Sequence, residues 1–126
     1  MTFGTVREVF LWVGLPSAVM LATSAAYFIF DRSGMSLQRR IVTSAHGLLA
    51  AVLYVTAVSI SIYSMKPQPE VADVLMLLYT LPVALVIASF FWYRGPKSIH
   101  LIQLLNVPAM LVSAFVGIVG VAVVAF

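Results

Sequence analysis

Four stretches of this chain are each long enough to cross a bilayer as a helix, and very little lies between them. They run over roughly residues 9–30, 41–65, 74–93 and 101–126, joined by "DRSGMSLQRR", "KPQPEVAD" and "RGPKSIH". About 30 Å of hydrocarbon takes about 20 helical residues, because backbone N–H and C=O groups find no water there and must pair within the segment. Gly and Pro in the connectors stop one helix before the next begins. Connectors this short bring each helix back beside its predecessor. The expectation is an all-α integral membrane protein, four transmembrane helices in an up-down-up-down bundle, with residues 1–126 as one domain. A chain that is 63% hydrophobic and 9% charged has too little polar surface for a water-facing globule, which points the same way.

The first segment also fits a second reading. Arg7, the run from Val9 to Leu21 and the small residues "ATSAA" match the three regions of a secretory signal peptide. The apolar run continues through "YFIF" without a break, so a retained span is expected.

The net charge of +3 comes from seven basic residues scattered over several segments. They form no stripe that follows a phosphate backbone, so nucleic acid is not an expected partner; the lipid bilayer, other copies and other membrane subunits are. Read as topology signals, Arg7 and Lys66 fall on one side and Arg32, Arg39, Arg40, Arg94 and Lys97 on the other. Basic residues stay in the cytoplasm, which places the loops 31–40 and 94–100 inside and both termini outside a cell (inner) membrane. The chain has no cysteine, which removes disulfides and thiolate chemistry.

Membrane helices associate through small residues and a few hydrogen bonds, since lipid is as apolar as leucine. On the second helix Thr43, Gly47, Ala50, Tyr54, Ala57, Ser61 and Ser64 alternate steps of four and three; on the fourth, Gln103, Asn106, Met110, Ser113, Gly117 and Gly120 do so. These faces are expected to turn inward or toward another subunit. The ladders Gly14, Ala18, Ala22, Ala26 and Thr80, Ala84, Ala88 are expected to pack against neighbouring helices. Trp12, Tyr27, Tyr63, Trp92 and Tyr93 stand near helix ends, where they read as interfacial anchors. Pro16, Pro82 and Pro108 each remove a helical hydrogen bond and free a carbonyl; near Pro108, Gln103, Asn106 and Ser113 suggest a polar pocket or pore lining.

Ion-coupled transport usually needs a carboxylate inside the membrane, yet Glu8, Asp31, Glu70 and Asp73 all fall at expected helix ends. This separates the chain from the small multidrug transporters, which are similar in length and helix number. The fluoride channels are similar in size, but their glycine-rich, arginine-bearing motif is missing. No nucleophile, base and acid come together along the chain, and no metal site or catalytic residue is expected, which disfavours an independent enzyme. His46, in "IVTSAHGLLAAVLY", and His100 both fall near the basic ends of the second and fourth helices, which are diagonal neighbours in such a bundle. In this respect the chain resembles cytochrome b proteins, which hold haem with histidines on those two helices. The resemblance implies His46 and His100 as cofactor ligands, with Arg39, Arg40 and Lys97 for the propionates and Gly47 leaving room for the ring. It departs from that pattern in having one histidine pair, with His100 about 5 Å shallower than His46. The simpler reading is that His46 bonds between helices and no cofactor is held; proton relay by the pair is a third.

With so little chain outside the spans, the expected function is that of a small polytopic subunit that oligomerises or joins a larger complex through small-residue seams. A channel or transporter for a small ion or solute, and a haem-bearing electron-transfer subunit, are the alternatives.

Overall fold

The computed structural model describes residues 10–30, 37–64, 66–93 and 96–123, and every element among them is helical. A π-helical turn, Phe10–Gly14, leads into α1 (Leu15–Phe30). Then come α2 (Leu37–Ser64) and α3 (Pro69–Trp92). A 3₁₀ stretch, Lys97–Ile102, runs into α4 (Gln103–Val123). Four of these helical segments, Leu11–Phe30, Arg40–Ser64, Pro69–Trp92 and Lys97–Ala122, are long and apolar enough to cross a membrane.

Two helices begin earlier than their apolar runs suggest. The second was expected from residue 41 and starts at Leu37, so Arg40 lies inside it. The third was expected from residue 74 and starts at Pro69, so Glu70 and Asp73 belong to its first turns and not to a loop. Proline at the first helical position costs nothing, because that N–H has no partner in any helix, and a carboxylate there complements the helix dipole. The backbone N–H of Gln68 donates to the carbonyl of Val121 (2.9 Å), which ties this start to the far end of α4.

α2 packs against each of the other three helices, and α4 does so too. α1 and α3 lie on opposite flanks of the α2–α4 pair. Cross-helix contacts fix the register. Phe28, Ser24 and Trp12 of the first segment meet Arg40, Leu48 and Tyr54 of α2 in that order. His46 and Ser61 of α2 meet Gln103 and Gly120 of α4, and Tyr79 of α3 meets Ser113.

The long small-residue faces of α2 and α4 point inward, as expected. Thr43, Gly47, Ala50, Tyr54, Ala57 and Ser61 are buried, and so are Gln103, Asn106, Met110, Ser113, Gly117 and Gly120. The ladders on the other two helices do not behave as expected. Ala18, Ala22, Thr80 and Ala84 are exposed, and Gly14, Ala26 and Ala88 are half-buried. α1 instead buries Pro16, Met20, Thr23, Ser24 and Tyr27, and α3 buries Ala72, Leu75, Tyr79, Pro82, Val86 and Ser89. The reason is volume. Small faces on α2 and α4 leave space that must be filled by large side chains from the flanking helices, or the interior would hold voids. Met20, Tyr27, Leu75 and Tyr79 fill it.

Candidate polar site at the basic end of the bundle

The site begins with α1. Met20, Thr23 and Tyr27 recur at steps of three and four, so the phase that buries Met20 also buries Tyr27, which is 0% exposed. Its hydroxyl lies 2.7 Å from His100 Nδ1; with the phenol donating, the ring proton of His100 sits on Nε2. The side chains of Gln103 and Ser89 flank the same hydroxyl. The Tyr27 ring meets His46 edge-on, with centroids 5.0 Å apart, and meets Tyr93 at the same distance. The His100 ring is stacked at a tilt on Phe90 of α3, with centroids 4.7 Å apart.

From α2, His46 is fully buried. Its Nε2 stands 3.4 Å from the Gln103 amide nitrogen, a long bond in which the amide donates and the imidazole accepts. Asn106 Nδ2 donates to Gln103 Oε1 at 2.8 Å, which sets the orientation of that amide. His46 Nδ1, His100 Nε2 and Asn106 Oδ1 have no hydrogen-bond partner among the described residues. In a dry interior each such atom costs roughly 1–3 kcal/mol, so this is an expensive cluster.

Four of the five residues singled out in the sequence therefore come together: His46, His100, Gln103 and Asn106. Ser113 does not join them. It lies two turns further along α4, donating to the Met110 carbonyl (2.8 Å) and accepting from Tyr79 at 3.5 Å. Gln103, Asn106 and Ser113 are all buried within the chain. Tyr27 and Tyr93 correct the interfacial-anchor reading, being fully buried among the histidines, whereas Tyr63, Trp12 and Trp92 remain exposed at helix ends. The signal for Tyr27 was present in its phase with Met20 and Thr23. Tyr93 follows the last residue of α3, beyond the reach of helical periodicity.

Chemically the cluster is a set of hydrogen-bonding side chains joining α1, α2 and α4. The described carboxylates, Glu70 and Asp73, stand at the opposite end of α3, so among the described residues no acid–base pair forms here. Among the described residues no three His, Asp or Glu side chains gather into a metal-binding group. A haem shared by His46 and His100 needs both rings to face one iron across a flat macrocycle. Tyr27 packs against both rings and bonds to one of them, so the side chains as arranged leave no slot for it. Of the basic residues assigned to the propionates, Arg40 instead donates to the Phe28 carbonyl (2.7 Å) and lies over the Phe28 ring, and Lys97 donates to the Tyr93 carbonyl (3.1 Å). Asp31, Arg7, Arg32 and Arg94 lie outside the described residues.

Comparison with protein-family models, with curated proteins and with solved structures finds no match for this chain.

Proposed function

We propose that this chain is a small polytopic membrane subunit that assembles, with its own copies or with other membrane proteins, through seams on the outer faces of α1 and α3. The carrying observation is where its small residues lie. Those of α2 and α4 are consumed within the bundle, while Ala18 and Ala22 on one flank and Thr80 and Ala84 on the other remain exposed. Helices in lipid gain from close backbone approach, which such ladders permit and bulky side chains prevent. Because the two seams sit on opposite flanks, each chain offers two different contacts, an arrangement that closes into rings or bridges unlike neighbours.

In this reading the helices alternate in sense across a cell (inner) membrane. The basic end, with Arg40 and Lys97, faces the cytoplasm, and Lys66, Glu70 and Asp73 face outward. The polar cluster then holds the cytoplasmic ends of three helices in register, as a structural tie.

The test is mass measurement in mild detergent. Wild-type protein is expected as an oligomer or bound to partners, with A22L and A84L together releasing single chains, and V55L, on an exposed face of α2 away from both seams, leaving the assembly intact. A wild-type protein that isolates as a bare single chain overturns the proposal.

A further inference from the structure

Between the ends of α3 and α4 runs a groove of about 580 Å³, lined by Phe90, Lys97, His100, Leu104, Val107 and Pro108 among others. It meets a smaller crevice of about 130 Å³ between the same helices, Val107 lining both. We infer that this groove binds an anionic phospholipid, with the phosphate beside Lys97 and an acyl chain laid along Leu104 and Val107. The inference rests on the membrane-spanning part of the proposed function and not on the assembly part.

Charge and polarity are distributed in the order that such a lipid presents them. Lys97 opens the fourth membrane-length segment, where the spanning reading puts the headgroups, and the groove below it is apolar almost throughout. One bond from the Lys97 ammonium goes to the Tyr93 carbonyl, which holds the charge at the groove mouth and leaves two N–H groups for a phosphate. The wall beside it does not move freely, because the His100 ring is bonded to Tyr27 and stacked on Phe90. Among the described residues no acidic side chain lines the groove. The described carboxylates, Asp73 and Glu70, lie in the first turns of α3, about 25 and about 30 Å from Phe90 along the helix at 1.5 Å per residue. A basic pocket between helices on the cytoplasmic side selects acidic headgroups over zwitterionic ones. Leu104 is 74% exposed, so the surface offered to the chain is open to the bilayer.

The test places a reporter in the groove. L104W in a W12F, W92F background is reconstituted into dioleoyl phosphatidylcholine vesicles carrying equal mole fractions of brominated phosphatidylglycerol or brominated phosphatidylcholine. Brominated phosphatidylglycerol is expected to occupy the site about fivefold more strongly, judged by quenching of the introduced indole, which is the scale set by one lysine near an acidic surface. K97Q should bring the two lipids together, and K66Q, at the other end of the bundle, should leave the preference intact. Equal quenching by the two lipids, or a preference that survives K97Q, overturns the lipid site and leaves the spanning reading standing. Absence of quenching by either lipid overturns both.

Discussion

Gly47 decides how closely α1 approaches α2. A methyl group there would run into the carbonyl oxygen of Met20 and come 2.8 Å from Ser24 Oγ, which already accepts the Leu48 N–H at 2.8 Å. Backbone cannot yield as a side chain does, so Gly47→Ala is expected to cost about 1–3 kcal/mol, read from unfolding in detergent. At Gly117 the nearest atom would be the Ala57 Cβ at 3.1 Å, a methyl that can shift by a few tenths of an ångström. Gly117→Ala is therefore expected to cost less than about 1 kcal/mol, and equal losses at the two glycines would refute this account of the contact. Both glycines are visible in the sequence as members of a small-residue face. Which one meets backbone and which meets a side chain is invisible there, because it depends on the partner helix. The same holds for Tyr27: its phase is local, but its bond to His100 joins residues 73 positions apart.

At the scale of helices, proline and tyrosine form a pair that spans two elements. Pro16 has no N–H, so it offers no α-helical bond to the carbonyl four residues earlier, that of Trp12. The hydroxyl of Tyr54 on α2 donates to that oxygen. Tyr54→Phe should then cost about 0.6–1.7 kcal/mol, the range for hydrogen bonds between membrane helices. In a Pro16→Ala background an N–H is available to Trp12 again, and the same substitution should cost little. A double-mutant cycle measured by unfolding checks this, and strict additivity would refute the pairing. That a proline frees a carbonyl follows from covalent structure alone. That a tyrosine from another helix satisfies it required the fold. The outward turn of the alanine ladders on α1 and α3 was likewise hidden, since a ladder of small residues marks a surface able to pack closely and does not say whether its partner belongs to the same chain.

For the molecule as a whole, the described charges divide between the two ends. Arg40 and Lys97 lie at the end marked by Tyr27 and Tyr93, and Lys66, Glu70 and Asp73 lie at the other. Single cysteines in place of Arg40, Lys97 and Lys66 are expected to divide in the same way. In intact cells a membrane-impermeant maleimide should label K66C and leave R40C and K97C untouched until the membrane is opened. Labelling of R40C and K97C from opposite sides would refute the bundle reading. The lengths and apolarity of the four helices follow from composition and covalent geometry, since each backbone must satisfy itself within its own segment wherever water is excluded. Those properties, with the inward faces of α2 and α4, were legible in the order of the residues. Tertiary structure decided the rest: that the flanking helices fill the small faces with Met20, Tyr27, Leu75 and Tyr79, that a tyrosine stands against both imidazoles, and that two alanine seams remain on the outside. These depend on volume and on contacts between distant residues, which no local pattern encodes.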